Sequence, residues 1–399
     1  MSQPSLTLPR ADLLAALARP AAVVQAMVKA KGRERIELNP RNCVWLSAAE
    51  NGLRIQGSDE AVDVVGVAPG AIPTGEIACG VAGRKFLELA GRLPEGPVTL
   101  SLDAAGDRLS IKAGRSRAHL AVKDVKYRPQ VEPLFREDMR PLDGKRFAAA
   151  VAAVAPSAGD EHPMDQIRFT PGRDGLRIEA FCGPEFVRLA LPTPGAAPAE
   201  PATAWAGIFD VPCGTDARRL YGLHKWIETA ELVGVTEKRL HFAGAGTRWS
   251  VPVRRGEFMP TDRLLEHLAG HAPTLDVETE SFLAAAERLS LYLAEGDKKM
   301  CLEVGPAGAW LCLDGARGIE PLSEAALPEP VRLLIPGVEF GRFLRRAPSP
   351  RVRLTLTGQR SPVGVHALDE VGHVRPGYVG VVMPFVTAMD AYVSVEEAA

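Results

Sequence analysis

The chain has 399 residues, 46% hydrophobic and 24% charged, with a formal net charge of −2. That length exceeds one ordinary core and suits two or three domains, and the charge balance excludes a protein that clings to nucleic acid over its whole outer surface. No apolar run is long enough to span a bilayer, and the opening MSQPSLTLPRADLL has no basic region followed by a hydrophobic core, so neither a membrane partner nor a secretory signal is expected.

Residues 6–8 predict a short strand, and Pro9 suits the first turn of a helix running to about residue 28. Leu13, Leu14, Leu17, Val24 and Val28 mark its apolar face, and Pro20 is expected to break it into two pieces. Strands follow at 34–38, 44–48, 53–57 and 61–67, with Asn51-Gly52 as a hairpin turn. The stretch 79–122 organises the rest. Phe86, Leu87, Ala90 and Leu93 share one helical face, with Arg84, Lys85 and Arg92 largely off it. Pro94-Glu95-Gly96 ends that helix. Val98, Leu100 and Leu102 then alternate with Thr99 and Ser101 as in a half-buried strand, and further strands are expected at 109–112 and 115–122. Residues 129–141, proline-bearing and aperiodic, read as a linker.

A second stretch opens at 140–142 with an alanine-rich helix at 144–155. Asp174-Gly175-Leu176-Arg177-Ile178 repeats Asn51-Gly52-Leu53-Arg54-Ile55 almost residue for residue. Residues 192–203 form a Pro/Ala loop, expected to be exposed and mobile; a helix at 215–226 and strands to 253 follow. A third stretch begins near 274, with a helix at 281–293 carrying Phe282, Ala285, Ala286 and Leu289 on one face, Gly308 in the hairpin position, a helix at 338–346, and strands at 351–356, 364–367 and 378–383. The second helix of each stretch opens in a comparable way, near Val81, at Val211-Pro212-Cys213-Gly214 and at Ile335-Pro336-Gly337. These openings are about one small domain apart, which predicts three copies of one fold. The expected boundaries are 1–137, 138–270 and 271–399, the last with an extension at 386–399.

Catalytic patterns are missing. There is no GxxxxGK[ST], HExxH or GxSxG, and Gly244-Ala245-Gly246 reads as a hairpin turn between strands. His119, His241 and His366 fall in strand-like runs and are expected to be structural. Asp59 and Asp63 are read as a solvated strand face, with metal binding as the alternative. The six cysteines, at 43, 79, 182, 213, 301 and 312, form no CxxC pair. They read as small buried hydrophobes in a reducing cytoplasm, with zinc or disulfides as the alternative. No cofactor and no enzymatic activity are predicted; an enzyme on an unrelated fold would need a deep polar pocket with convergent titratable groups. The informative charges are local. Arg84, Lys85 and Arg92 stand against Glu88, Arg218, Arg219 and Lys225 against Asp216, and Arg342, Arg345 and Arg346 against Glu339, one basic excess in each second helix.

The run GRKFLELAGRLPEG, continuing to IKAGRSRAHL, resembles the first domain of the bacterial DNA sliding clamp, the beta subunit of DNA polymerase III. GSDEAVDVVGV resembles that domain's hairpin, and Tyr378-Val379-Gly380-Val381-Val382-Met383-Pro384-Phe385 resembles the end of the same family. With the three-fold repeat, the resemblance covers nearly the whole chain. It implies an α+β fold of three tandem clamp domains, two helices packed on β-sheet in each, with two chains joined head to tail as a homodimeric ring. Arg84, Lys85, Arg92, Arg218, Arg219, Lys225, Arg342, Arg345 and Arg346 would then face duplex phosphates without reading sequence. It also implies a partner-peptide pocket formed by Gly183, Arg188 and Leu189, by Pro260, Arg263 and Leu264, and by Val381, Val382, Met383 and Pro384. DNA polymerase III and other clamp-binding proteins would dock there, and a clamp loader would place the ring on DNA.

Three departures from the family pattern lie at this pocket. They are Phe181-Cys182-Gly183 followed by four residues before Arg188-Leu189, the extra Met259, and the tail beyond Phe385. They point to a specialised clamp beside a main replicative one. The alternative function is a clamp-like scaffold that binds or sequesters clamp partners, or substitutes for an inhibited main clamp, without encircling DNA.

Overall fold

The computed structural model describes residues 4–386 other than 27–37, 50–51, 71–72, 133–135, 173–174, 193–204, 206–207, 210, 257–260, 267, 269–271, 314–317 and 359–360. The expected strand at 34–38 and loop at 192–203 lie almost wholly outside the described residues, as does the extension after Val386.

The first stretch runs β1 (Ser5–Pro9), α1 (Arg10–Val23), β2 (Cys43–Ala49), β3 (Gly52–Ser58), β4 (Asp63–Ala68), β5 (Ile77–Ala82), α2 (Gly83–Arg92), β6 (Pro97–Leu102), β7 (Arg108–Ala113) and β8 (Ser116–Ala121). The second runs β9 (Arg140–Pro141), α3 (Gly144–Val154), β10 (Gln166–Gly172), β11 (Gly175–Cys182), β12 (Glu185–Leu191), β13 (Cys213–Asp216), α4 (Ala217–Gly222), α5 (His224–Ile227), β14 (Leu232–Val235), β15 (Arg239–Gly244) and β16 (Thr247–Pro252). Helix α6 (Asp262–Glu266) closes the second stretch, and the third runs β17 (Thr274–Glu278), α7 (Thr279–Ser290), β18 (Lys299–Gly305), β19 (Gly308–Cys312), β20 (Ile319–Ser323), β21 (Val331–Pro336), α8 (Gly337–Arg345), β22 (Arg351–Leu356), β23 (Val363–Ala367) and β24 (Tyr378–Val382). In each stretch a strand runs straight into the second helix: β5 into α2, β13 into α4, β21 into α8.

The hairpin glycines are equivalent. Gly52, Gly175 and Gly308 begin β3, β11 and β19 with φ of +108°, +130° and +134°. A Cβ on each would lie 2.3 Å from the Ala68 carbonyl oxygen, 2.0 Å from that of Leu191 and 2.9 Å from that of Ser323. In all three the obstruction is a carbonyl of the next strand along, so only glycine fits both the backbone angle and the space.

Contacts divide the chain into two compact units, Met1–Lys145 with Lys225–Val253, and Arg146–His224 with Arg254–Ala399. The first has a four-stranded sheet, β1-β6-β7-β8, and an eight-stranded sheet, β5-β2-β3-β4-β16-β15-β14-β9. Helix α1 lies directly on the backbone of the larger sheet, because a Cβ at Gly66 would sit 1.9 Å from the Ala16 carbonyl and one at Gly57 2.1 Å from that of Pro20. Helix α2 buries Phe86 and Ala90 and exposes Arg84, Lys85 and Arg92, as its pattern predicts. Burial of a side chain the size of Phe86 contributes about 1.5–3 kcal/mol. Arg10 closes the far end of α2, its Nε donating to the Ala90 carbonyl at 3.0 Å, where a cation also meets the negative end of the helix.

The second unit has an eight-stranded sheet, β13-β10-β11-β12-β24-β23-β22-β17, and a four-stranded one, β20-β19-β18-β21. Phe147, Phe169 and Phe209 stack in its core at centroid separations of 5.7 and 5.5 Å. Helices α7 and α8 pack through Phe282 on Phe340, 5.4 Å apart. Each large sheet draws strands from two of the expected stretches, through β4 with β16 and β12 with β24.

Several sequence expectations are corrected. Pro20 does not split the first helix; it sits buried in the last turns of α1, where the apolar contacts of Leu13, Leu17 and Ala21 outweigh one lost hydrogen bond. The helix expected at 215–226 is two short helices, because Gly222 ends α4 and the Leu223 N–H turns back to the Leu220 carbonyl at 3.1 Å. The linker at 129–141 ends in β9, which pairs with β14. Asp63 is not solvated: it is 6% exposed and 3.0 Å from the Arg239 guanidinium.

Candidate functional site

In an antiparallel pair, residues directly opposite share a face and neighbours alternate. On β12 and β24 the register sets Phe186 opposite Val381 and Arg188 opposite Val379, while Glu185 faces Val382, Val187 faces Gly380 and Leu189 faces Tyr378. A Cβ on Gly380 would meet the Phe343 ring of α8 at 2.8 Å. The Gly380 face is therefore the α8 face, and Phe186, Arg188, Val379 and Val381 point the opposite way. On that opposite face α6 lies over the sheet, and Phe186, Leu268 and Val381 form a buried cluster with Phe181, Leu264, Leu265 and Val379 packed against it.

The residues expected to form a peptide pocket are therefore divided. Arg188, Leu264 and Val381 meet on the α6 face; Leu189 and Val382 belong to the α8 face. Phe186 and Phe181, rather than Leu189, lie with the α6-face cluster. The signal was present as an apolar residue two before Arg188, but the family pattern drew attention to the Arg188-Leu189 pair. Gly183 sits exposed in the two-residue turn before β12, with φ of +48°. Met383, 36% exposed, is held near that turn by its N–H, which donates to the Pro184 carbonyl at 2.8 Å. Pro384 is buried and Arg263 is exposed on α6. Pro260 lies outside the described residues.

Arg188 holds α6 in place. It donates to the Glu179 carboxylate through Nε, and its Nη2 lies 2.9 Å from Thr261 Oγ1 and 2.7 Å from Asp262 Oδ1. Thr261 Oγ1 in turn donates to Glu179 at 3.1 Å. Glu179 is 3% exposed, so these bonds are what allow a carboxylate there. Hydrogen bonds from Arg188, with Arg177 beside it, hold Asp262 below the usual carboxylate range. After β24, the Phe385 N–H donates to the Leu334 carbonyl at 2.8 Å, and its ring packs on Cys301, Cys312 and Leu334.

The basic residues of the second helices fall into two groups. Arg92 pairs with Glu88 at 2.6 Å, Lys225 with Glu228 at 2.8 Å, Arg345 with Glu280 at 3.9 Å, Arg346 with Glu185 at 3.1 Å, and Arg218 with Asp160. Arg84 donates from Nε to the Val24 carbonyl, 3.1 Å away, and is otherwise exposed. Lys85 and Arg342 are exposed and make no ion pair with a described residue. Arg219 is half-buried on α4.

Of the histidines expected to be structural, His241 and His366 are withdrawn from solvent and His119 is not. Burial, and then Arg239 and Arg248, push His241 down to about 4, and burial lowers His366. His119 is exposed and shares a hydrogen bond of 3.0 Å with Ser110. Burial raises the Cys79 and Cys301 thiols to about 12, which makes them poor nucleophiles. Among the described residues no group of acids, histidines and cysteines is arranged to hold a metal ion, and no helix is long and apolar enough to cross a membrane.

Repeated strand-to-helix units with two large sheets and equivalent hairpin glycines define the DNA sliding clamp fold. No protein-family model matches the sequence, and no curated protein matches it. Solved structures do match. The DNA polymerase sliding clamp from Bacillus subtilis superposes with a TM-score of 0.78 at 14% identity, covering 97% of this chain and 100% of that one. The Caulobacter crescentus beta sliding clamp crystallised with polyethylene glycol gives 0.78 at 20% identity, over 97% and 100%. A Pseudomonas aeruginosa sliding clamp bound to griselimycin gives 0.76 at 16% identity, over 97% and 100%. The resemblance read from the sequence is thus borne out as a fold over the full length.

Proposed function

We propose that the chain is a DNA sliding clamp of the bacterial type. Two copies close head to tail around duplex DNA, with 1–137, 138–270 and 271–399 as three clamp domains in each. The apolar face beside α6 holds short hydrophobic peptides of DNA polymerase III and other clamp-binding proteins. The clamp has no chemistry of its own, works in the cytoplasm and is placed on DNA by an ATP-driven clamp loader. Tethering raises the polymerase's effective concentration at the primer end, which is the source of processivity.

The observation that carries this reading is the whole-length likeness to sliding clamps, joined to an apolar cluster on one sheet face, with an exposed methionine just past the end of β24. A peptide with a few apolar anchors gains most of its affinity from such a preformed face. A labelled peptide carrying a glutamine, a leucine and a leucine–phenylalanine pair should bind this chain saturably, and unlabelled peptide should displace it. No binding at any attainable concentration would overturn the peptide-docking part.

A second reading is a clamp-like scaffold that collects partners without encircling DNA. Ion pairing favours it, because Arg92, Arg218, Lys225, Arg345 and Arg346 already have carboxylate partners. A single-chain mass in solution would select it.

A further inference from the structure

Beside the apolar face the same side of the sheet opens into a cleft of about 420 Å³. Arg177, Arg188 and Arg375 line it, and Leu265 and Val379 are common to it and to the apolar cluster. One carboxylate answers two of these arginines: Asp262 Oδ1 is 3.2 Å from Arg177 Nη1 and 2.7 Å from Arg188 Nη2. The Asp262 side chain is 65% exposed, so it meets these arginines from the solvent side. Two donors remain. Arg177 Nε is buried and has no hydrogen-bond partner. Arg375 donates to the Pro348 carbonyl at 2.8 Å but makes no ion pair with a described residue.

We propose, resting on the peptide-docking reading above, that this cleft is the subsite for a carboxylate of the same peptide, placed just beyond its apolar anchors. Asp262 is the intramolecular stand-in that occupies Arg177 Nη1 and Arg188 Nη2 when no peptide is present, while Arg188 Nε stays on Glu179. The incoming carboxylate takes the guanidinium donors, and Asp262, already mostly in water, is released at little desolvation cost. The Arg375 guanidinium, which lines the cleft, supplies donors that Asp262 leaves unused. The specificity is for anionic over neutral extensions, since a neutral tail cannot replace Asp262 at two guanidinium groups. An acidic side chain and a free C-terminal carboxylate present the same group.

The test compares three peptides sharing the apolar anchors on the full chain: a neutral amidated tail, an Asp-Glu amidated tail, and a neutral tail ending in a free carboxylate. One or both carboxylate peptides should bind about three- to tenfold tighter than the neutral one at low salt, as an exchanged charge-assisted contact allows. Which of the two gains identifies the source of the carboxylate. The gain should shrink as salt rises. Arg177→Ala should remove the acidic-to-neutral ratio, and Asp262→Asn, which removes the competing charge while Arg188 keeps Glu179 and Thr261 as partners, should increase it. If all three peptides bind equally and neither variant moves the ratio, the subsite is wrong while peptide docking stands. If no peptide binds, the docking reading fails and takes this proposal with it.

Discussion

Arg346 Nη1 lies 3.1 Å from Glu185 Oε2, and the same nitrogen is 3.3 Å from the Pro156 carbonyl oxygen and from Ser157 Oγ. This cation, just past the end of α8, thereby joins β12 to the turn that follows α3. Both side chains are less than a third exposed, so the contact is shielded from solvent. Burial raises the Glu185 carboxyl above its ordinary range and Arg346 opposes that shift. Arg346 is thus spent on the fold, whereas Arg342, one turn earlier, is open to solvent.

Arg346→Ala should therefore destabilise the protein by about 1–3 kcal/mol, since it strands a half-buried carboxylate. Arg342→Ala should stay within about 0.5 kcal/mol of the parent. Denaturant midpoints with unchanged slopes measure both. Equal stabilities for the two variants would contradict the division.

The basic helices make a separate prediction. Lys85→Glu with Arg342→Glu should lower retention on DNA and flatten its salt dependence while leaving the melting temperature in place, because only phosphate contacts are removed. Retention measured between low and physiological salt decides this. A double variant that behaves as the parent at every salt concentration would remove α2 and α8 from the DNA-facing surface.

His241 makes the fold sensitive to acid. Burial and two arginines hold it at about 4, below its unfolded value of 6.5, so the folded state binds fewer protons between those limits. Its contribution is fully present above pH 6.5 and is lost as pH falls toward 4, by about 2–3 kcal/mol. His241→Gln should reduce the slope of stability against pH across that window. Coincident slopes for parent and variant would show that other groups govern the acid limit.

Strand alternation separates binding from packing at the proposed peptide face. Leu264→Ala or Met383→Ala should each weaken the apolar-anchored peptide by about 1–3 kcal/mol. Leu189→Ala, on the α8 face, should change stability and leave that affinity alone. Calorimetric titration of the three variants tests the face assignment, and a loss of affinity at Leu189 equal to that at Leu264 would reverse it.

Much of this was legible in the residues. Local patterns fixed the strand-to-helix units, and the repeat of Gly52, Gly175 and Gly308 was visible because a steric requirement at one backbone position leaves one residue type. Three features were not legible. Pairing of β4 with β16 and of β12 with β24 joins strands far apart in sequence, and edge pairing leaves no local pattern. The exchange of Leu189 for Phe186 turns on a one-residue register, which moves a side chain to the other face. Arg346 looks like any solvated cation until Glu185, 161 positions away, is brought beside it.

Encirclement of DNA is decided by retention on DNA of different topology. The full-length chain should have a mass in solution of twice 42.7 kDa. Assembled with a clamp loader and ATP on nicked circular duplex, it should remain bound through a moderate-salt wash and be lost when the same circle is linearised, because a ring slides off a free end. A single-chain mass, with equal retention on circular and linear DNA, would contradict the account.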